Sequence, residues 1–540
     1  MPKNILFIMC DQLRWDYLGC TGHPALDTPH IDALAARGVR FTRAYVQSPV
    51  CGPSRMSFYT GRYVSSHGST MNGAPLKVSE WNIGDHLRPL GLRPVLCGKT
   101  HMVADREGMQ RLGLDPQSVI GAQVAECGFD VVFRDDGVHT DLNWQAGAYN
   151  QALAERGYAG DNPWHWWANA AEENGKLLSG WFMKDAEKPA RIDEAASETA
   201  LTTKQALAFI AEAGDRPWCL HLSYIKPHWP YVAPDPYNAL YSEADVIDPI
   251  RHAAELTDPH PLLRIFMKER KASLSFAREE VRRHVIPAYM GLIKQVDDHI
   301  GIVMKDLETR GLLDDTLVVF TSDHGDYLGD HWLGDKDFFH EPCVKVPLII
   351  ADPSANADST RGACCDALVE AIDLLPTFVE ALGGTPDERL EGRSLAPFLT
   401  GPEPATWREA VFSEDDYGAM GIRCFTEQGP DDARIFMVMT ERWKYIAPLG
   451  FRPLLFDLET DPQEFRDLGD DPGYAEIRAE LRERLLSWSL RNHQRTTVSR
   501  QSIEAAIGED ENRGFLIGYW DESDLDDPAN LPQPPPARSR

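Results

Sequence analysis

Apolar stretches that end in polar residues recur through the first 400 positions of this chain. Five of them read as strands, at residues 3–10, 93–97, 218–224, 316–322 and 346–351. Helices are predicted between them, the two longest at 197–213 and 281–310. Such alternation builds parallel sheets, because each crossover between parallel strands needs a long connection. The pattern therefore predicts an α/β fold, with a large, mostly parallel sheet sandwiched by helices.

The pattern changes near residue 405, after which the predicted strands are short. They lie at residues 410–413, 421–425, 435–440, 443–446 and 454–457, and a helix follows at 474–490. We therefore predict a main domain at 1–405 and a smaller α+β domain at 406–490, in which a helix backs an antiparallel sheet. Residues 491–540 are a C-terminal extension that ends in an acidic, proline-rich run. That composition is typical of a disordered tail, and an arm reaching a neighbouring subunit is the alternative.

Residues 120–195 interrupt the main domain without clear periodicity and are predicted to form an inserted lobe. The segment is rich in tryptophan, at Trp144, Trp164, Trp166, Trp167 and Trp181. A satellite hydrophobic cluster beneath long loops would explain these residues. The alternative is an aromatic wall at the mouth of a binding site, since insertions in α/β enzymes often shape specificity.

Composition is that of a globular protein, with 43% hydrophobic and 25% charged residues among 540. No run of 18 apolar residues occurs, so no membrane span is expected. The apolar run near the N-terminus is short and leads straight into Asp11-Gln12 without a cleavage site, which favours a buried strand and a cytoplasmic location. The ten cysteines are scattered, which predicts reduced thiols.

The net charge of −29 argues against nucleic acid or an anionic membrane as a partner. If the protein is an enzyme that acts on anions, it needs a local cluster of cationic groups and a metal ion to overcome its global field. The candidate motifs can be tested against that requirement.

One such motif surrounds Cys51, in the run from Ser48 to Arg62. Pro53 suits the first turn of a helix, where its missing N–H costs nothing. Cys51 would then lie just before the helix, at its positive end, and Arg55 one turn further could point back at it. A buried or redox-active thiol would account for Cys51 alone. A group made from Cys51 that meets an anionic substrate is the second interpretation.

Four other segments end on polar groups near predicted strands. Together with Cys51 and Arg55, the candidates are Asp11, Gln12, Lys99, His101, His228, Asp323, His324 and Lys336. Ligand sites of open α/β sheets gather at the carboxyl ends of the strands. The set contains carboxylate, amide and imidazole ligands for a divalent cation, and it also contains cationic groups for an anion. It therefore supplies the cluster that the net charge requires.

The run Cys51-x-Pro53-x-Arg55, followed by Thr60-Gly61-Arg62, resembles the signature of the type I sulfatases of the alkaline phosphatase superfamily. The order of the other candidates is similar too, over residues 1–490. The resemblance implies an alkaline phosphatase-like fold and a catalytic role for the main domain. It also implies that a formylglycine-generating maturase oxidises Cys51 to formylglycine.

The resemblance assigns roles residue by residue. Asp11, Gln12, Asp323 and His324 would bind one divalent metal ion together with residue 51. Arg55 and Lys99 would hold the formylglycine diol, and His101 would contact its second hydroxyl. Lys336 would bind the sulfuryl oxygens, and His228 would lie beside the leaving group. The residues expected to bind substrate are Lys99, His228, Lys336 and Asn72.

Two departures from the sulfatase pattern affect the predicted substrate and metal. Gln12 and His324 stand where many sulfatases have Asp and Asn, and this combination resembles the phosphonate monoester hydrolase branch. Lys99 and His101 follow the sulfatase habit, whereas that branch tends to carry Tyr and Thr. Because Gln12 removes a ligand charge and His324 adds an imidazole, Ca²⁺ or Mn²⁺ is expected, with Mg²⁺ less favoured.

The expected activity is hydrolysis of a sulfate monoester, with aryl sulfates favoured. The alternatives are a phosphonate monoester or phosphate diester hydrolase with the same site, and a non-catalytic anion-binding protein on the same fold. The expected partners are a small anionic ester, the maturase and further copies of this chain in a dimer or tetramer.

Overall fold

The strands and helices of the main domain alternate as predicted in a computed structural model that describes residues 2–140, 147–401, 404–492 and 496–506. The strands are β1 (Asn4–Asp11), β2 (Val39–Tyr45), β3 (Arg93–Gly98), β4 (Asp130–Arg134), β5 (Ala170–Glu173), β6 (Lys176–Ser179), β7 (Trp218–Pro227), β8 (Thr316–Ser322), β9 (Lys345–Ala351), β10 (Cys364–Cys365), β11 (Val369–Glu370), β12 (Ala410–Asp416), β13 (Arg434–Thr440), β14 (Trp443–Pro448) and β15 (Leu454–Asp457). The helices are α1 (Pro29–Arg37), α2 (Cys51–Thr60), α3 (Val64–His67), α4 (Ile83–Leu87), α5 (Arg106–Leu112), α6 (Val119–Ala125), α7 (Ala148–Glu155), α8 (Glu198–Ala213), α9 (Pro261–Glu269), α10 (Lys271–Phe276), α11 (Glu279–Thr309), α12 (Glu341–Val344), α13 (Leu374–Ala381), α14 (Ala396–Thr400), α15 (Ala475–Arg491) and α16 (Arg500–Ala505).

The large sheet has nine strands within the described residues, in the order β10-β2-β9-β8-β1-β7-β3-β4, and β11 also pairs with β2. β1 pairs in parallel with β7 and β8, and β3 pairs in parallel with β7 and β4. β9 runs antiparallel to both of its neighbours, so the other eight strands share one direction. The carboxyl ends of β1, β3, β7 and β8 therefore lie along one edge of the sheet.

The two faces of the sheet are both buried, as the prediction of covering helices requires. Along β1, Ile5, Phe7 and Met9 pack into a core that includes side chains from α2 and α13. The intervening residues of β1 pack into a second core with side chains from α8 and α11. This alternation follows from the two-residue period of a strand. It explains why β1 is apolar from residue 5 to residue 10: all eight residues of the strand are buried.

The smaller antiparallel sheet has the order β12-β13-β14-β15, and α15 contributes Leu481 to the core beneath it. The strand predicted at 421–425 is wrong, because Gly421–Phe425 forms a 3₁₀ helix. β12 pairs directly with β13, with Ala410 opposite Thr440, so these residues belong to the connection between the two strands.

Residues 1–492 form one compact unit, and residues 493–540 form a second unit, of which α16 is described. Within the first unit, one core contains both Phe7 of the large sheet and Met437 of the small sheet. The domain boundary at 405 therefore remains a prediction. Among the described residues, no helix combines the length and the apolar character needed to cross a membrane.

Candidate active site

The sequence-predicted site residues come together at the carboxyl edge of the large sheet. Asp11 ends β1, Lys99 follows β3, His228 follows β7, and Asp323 and His324 follow β8. α2 brings Cys51 and Arg55, and the loop after β8 brings Lys336. These side chains are buried: Asp11, Arg55, Asp323 and His324 have no exposed surface, and Lys336 is 9% exposed. A cluster of ionisable groups at this depth needs mutual compensation or a ligand.

Helix α2 positions residue 51. Val50 is extended and Cys51 is the first residue of the helix, one position further in than predicted. The backbone N–H of Gly52 donates to Oδ1 of Asn72 at 2.8 Å, which fills one of the unpaired donors of the helix start. A Cβ atom at position 52 would lie 2.8 Å from the same oxygen, so the close approach requires glycine. Asn72, predicted to bind substrate, lies next to the site through this contact.

Cys51 is surrounded by positive charge. Its Sγ lies 3.0 Å from Nζ of Lys336, 3.1 Å from Nε2 of His324 and 3.7 Å from Oδ1 of Asp11. Burial raises the pKa of the Cys51 thiol, but Lys336, Lys99 and His324 outweigh burial and hold that pKa well below its ordinary value. A negative charge on the side chain at position 51 is therefore stabilised by the site.

Arg55 and Lys99 pair with the carboxylates of the cluster. Nε of Arg55 donates to Oδ2 of Asp323 at 2.7 Å, and its Nη1 donates to the Lys99 carbonyl at 2.9 Å and to Oγ of Ser223 at 2.8 Å. Lys99 forms an ion pair with Asp11. Burial and Cys51 raise the pKa of Asp11, yet Lys99, His228 and Arg55 lower it to a net value below the ordinary range. The Asp11 carboxyl is therefore ionised at neutral pH.

The residues predicted to bind a divalent cation fit such an ion. One ligand atom from each of Asp11, Cys51, Asp323 and His324 can be chosen so that all four lie within 4.8 Å of one another. Nδ1 of His324 lies 2.8 Å from the Gly325 carbonyl, which directs Nε2 into the cluster. Burial lowers the pKa of His324, but Asp323 and Cys51 help to raise it to about 8. The carboxylate oxygens and the imidazole nitrogen of this set are donors that suit a divalent cation.

Two further histidines reach residue 51. Nδ1 of His228 lies 2.5 Å from the Trp229 carbonyl, and Cys51 acts on the His228 ring by raising its pKa. Burial lowers the pKa of His228, and among its neighbours Asp11 opposes this while Lys336 and Lys99 add to it. His101 also helps to lower the pKa of Cys51, and it has a left-handed backbone, with φ of 55°. Its buried Nδ1 has no hydrogen-bond partner among the described residues.

Sequence reasoning missed the groups behind Gln12. The side-chain amide of Gln12 donates from Nε2 to Oδ2 of Asp326 at 2.6 Å and to Oδ1 of Asp335 at 3.1 Å. Tyr231 Oη donates to the same Asp326 oxygen at 2.8 Å. The nearness of Asp326 to His324 and of Asp335 to Lys336 in the chain is a hint, but only the folded loop shows that both face Gln12.

A cleft of about 880 Å³ adjoins the site. Its lining includes Trp181 and Trp229, whose rings are 5.6 Å apart, together with Phe182, Tyr231 and Phe276. Asp335, which also lines the cleft, accepts a hydrogen bond from Gln12, and the Trp229 ring stacks on that of His228. The cleft therefore lies beside the buried cluster and offers an aromatic wall.

The segment 120–195, predicted to be an inserted lobe, supplies β4 of the large sheet and contributes one tryptophan to this wall. Trp181 lines the cleft, whereas Trp164 is buried in a separate core of the lobe. Within the same segment, the Trp166 ring contacts His165 and the Trp167 ring contacts Tyr158. Trp144 lies outside the described residues. Both interpretations of the insert thus apply, and Trp181 fits both, since its ring also lies 5.6 Å from that of Trp164.

Comparisons with known proteins agree with this geometry. Residues 3–384 match the family model described as Sulfatase, and residues 329–491 match the one described as N-sulphoglucosamine sulphohydrolase, C-terminal. The chain is 32% identical to the multifunctional alkaline phosphatase superfamily protein PehA of Trinickia caryophylli, over 93% of this chain and 98% of that protein. It is 28% identical to a choline-sulfatase of Rhizobium meliloti, over 95% and 90%. The phosphonate monoester hydrolase SpPMH of Silicibacter pomeroyi has a similar structure, with a TM-score of 0.79, 31% identity and coverage of 92% and 98%.

Proposed function

This chain belongs to the sulfatase family, and we propose that it hydrolyses sulfate monoesters, with aryl sulfates favoured. Residue 51 in its formylglycine form would be the nucleophile, and Asp11, Gln12, Asp323 and His324 would hold one divalent cation beside it. The proposed partners are the anionic ester, the maturase that converts Cys51, and further copies of the chain. The relatives include both a choline-sulfatase and a phosphonate monoester hydrolase, so the preference for sulfate is the specific part of this proposal.

The observation that carries the preference is the ring of hydrogen-bond donors around residue 51. Lys336 lies 3.0 Å from Sγ, and Lys99, His101 and His228 act on the same atom. A sulfate monoester and a phosphonate monoester each carry one negative charge, so charge alone does not separate them. They differ because sulfate presents three equivalent oxygens, whereas phosphonate replaces one oxygen with carbon. Lys99 supplies a donor for a third oxygen, which favours sulfate.

The residues around position 51 would each have a separate role in this reaction. When present, the formylglycine diol supplies the attacking hydroxyl and the cation lowers the pKa of that hydroxyl. Lys336 and Lys99 stabilise the charge that develops on the equatorial oxygens, in a buried site where such donors act strongly. His228 is placed to protonate the departing oxygen, with its Nδ1 fixed on the Trp229 carbonyl. His101 is placed to take the proton of the second hydroxyl.

The cleft supports aryl substrates. Its aromatic wall begins at Trp229, directly after the proposed general acid His228, which is where the leaving group of the ester would lie. A phenyl-sized group uses only a small part of a cavity of about 880 Å³. Flat apolar groups gain both burial and ring contacts against such a wall.

Parallel kinetics test the proposal against its closest rival. Gln12 and His324 favour the rival reading, a phosphonate monoester or phosphate diester hydrolase with the same site. The matured, metal-loaded protein should be assayed on 4-nitrophenyl sulfate and on a 4-nitrophenyl phosphonate ester, which share a leaving group. We expect the larger kcat/KM on sulfate. A value tenfold larger on phosphonate, about 1.4 kcal/mol of transition-state stabilisation, would reverse the assignment.

Intact-protein mass tests the non-catalytic alternative. After co-expression with a formylglycine-generating maturase, we expect the mass of the intact protein to be that of a chain with formylglycine at position 51. Unconverted Cys51, together with absence of turnover on every ester tested, would favour an anion-binding protein on the same fold.

A further inference from the structure

The backbone N–H, the carbonyl and the side-chain Nε2 of Gln12 all have hydrogen-bond partners that fix their directions. Its backbone N–H donates to Oδ1 of Asp323 at 3.0 Å, and its carbonyl accepts from Oη of Tyr289 at 2.9 Å. The side-chain amide gives its hydrogens to Asp326 and Asp335, at 2.6 and 3.1 Å. Only Oε1 remains, and it faces Nζ of Lys336 at 3.4 Å, on the side of Cys51 and His324. The residue has φ of 64°, a strained conformation for glutamine that the surroundings must hold.

Asp326 differs from the other carboxylates around the site because it has no cationic partner among the described residues. It is fully buried. Its Oδ2 accepts from Gln12 and from Oη of Tyr231, and its Oδ1 accepts from the N–H of Leu328 at 3.0 Å. All three contacts are hydrogens donated to the carboxyl group, the pattern of a carboxylate. Asp335, by contrast, is paired with Arg270 at 2.8 Å.

We propose that Asp326, assisted by Asp335, is a positioning residue for the cation. Asp326 does not contact the cation itself; it lies behind Gln12 and supplies, through the Gln12 amide, the negative charge that a carboxylate ligand at position 12 would supply directly. The two carboxylates prevent the amide from turning over and polarise it, so that Oε1 is a fixed and more negative ligand. The cation in turn compensates the buried charge of Asp326. This inference rests on the proposed metal site but not on which ester is cleaved.

Asp326→Asn tests the contact without changing the size of the side chain. If the new Nδ2 faces Gln12, two donors oppose each other. If the group turns over, Nδ2 faces the N–H of Leu328 instead. We therefore expect the affinity of the metal-free protein for Mn²⁺ and Ca²⁺, titrated alone and followed by calorimetry, to fall tenfold or more.

The companion variant Gln12→Glu brings a carboxylate oxygen against Asp326 and Asp335, and it should also weaken binding. The double variant Gln12→Glu/Asp326→Asn moves the negative charge into the ligand itself. Nδ2 at position 326 can then donate to residue 12 and to Oη of Tyr231, a hydroxyl that can accept as well as donate. We expect affinity to rise at least threefold above that of the weaker single variant, a rescue that additive damage cannot produce, while Asp335 at 3.1 Å from residue 12 keeps it below wild type.

Asp330→Asn is the matched control, since Asp330 lies in the same loop but faces Arg14 at 2.7 Å. It should lower thermal stability and leave metal affinity unchanged. The inference is overturned if wild type binds neither ion, if Asp326→Asn binds as wild type does, if Asp330→Asn loses as much affinity, or if the double variant is no better than the weaker single. None of these readouts uses ester turnover, so failure of the proposed function is recognised separately.

Discussion

Nζ of Lys336 lies 3.0 Å from Sγ of Cys51 and 3.4 Å from Nε2 of His324, so one buried ammonium touches both the nucleophile position and a proposed metal ligand. Its role as a donor to the substrate oxygens predicts that Lys336→Met lowers kcat/KM on aryl sulfates at least 100-fold, as removal of a preorganised donor does. Steady-state kinetics check this. Lys305→Met, at an exposed position on α11, is the control and should match wild type.

Cys51→Ser separates attack from release. A serine hydroxyl can accept a sulfuryl group, but it lacks the second hydroxyl that would let the group leave. We expect no sustained turnover, and intact mass should show one covalently bound sulfuryl group after incubation with substrate. Cys51→Ala should show neither turnover nor adduct while retaining the fold by circular dichroism. Sustained turnover by either variant would contradict the assigned nucleophile.

His228→Asn tests the general acid. Because a poor leaving group needs a proton more than nitrophenolate does, the loss in kcat should grow as the leaving group becomes more basic, from nitrophenyl to phenyl to alkyl sulfates. General acid help is typically worth about 10²–10⁴-fold, so the alkyl ester should lose at least tenfold more than the nitrophenyl ester. Equal losses across the series would remove His228 from this role.

Trp181→Ala tests the aromatic wall of the cleft. Loss of a ring contact should lower kcat/KM on naphthyl sulfate about tenfold, near 1.4 kcal/mol, with a smaller loss on a small alkyl sulfate. Trp166→Ala removes a tryptophan of the same lobe that does not line the cleft, and it should leave both values unchanged. The same loss on the large and small esters would show that Trp181 supports the fold rather than the substrate.

Glu414 in β12 should make stability depend on pH. Burial raises the pKa of its carboxyl to about 7 from an ordinary 4.5, although the N–H of Ser65 and Arg434 act against burial. The unfolded chain therefore releases this proton at lower pH than the folded protein. The stabilising contribution is complete below pH 4.5 and is lost as pH rises through 7.

Glu414→Gln removes that titration. Compared with wild type, the variant should be more stable at pH 8 than at pH 5: its free energy of unfolding relative to wild type should increase between the two pH values, by up to about 3 kcal/mol. Urea denaturation at the two pH values measures the change. Glu409→Gln, on a largely exposed side chain, should show the same difference from wild type at both. A flat difference for Glu414→Gln as well would mean that the carboxyl titrates normally.

The sheet and the residues at its carboxyl edge were predictable because β1, β7 and β8 are apolar runs whose ends are marked by polar residues. Parallel pairing then brings Asp11, His228 and Asp323 to one edge without further information. The 3₁₀ helix at Gly421–Phe425 was not predictable, since a five-residue segment of mixed apolar and polar residues fits a strand or a turn until its partner strand is known. Asp326 and Asp335 were missed for a related reason: their contacts with Gln12 depend on how an irregular loop folds.

Residue 51 is 1% exposed, and every residue of α2 is buried with it. An enzyme that modifies this side chain could not reach it once the chain has folded. If the cysteine is converted as proposed, the conversion must take place after synthesis and before folding is complete. A chain that folds before conversion would remain permanently inactive.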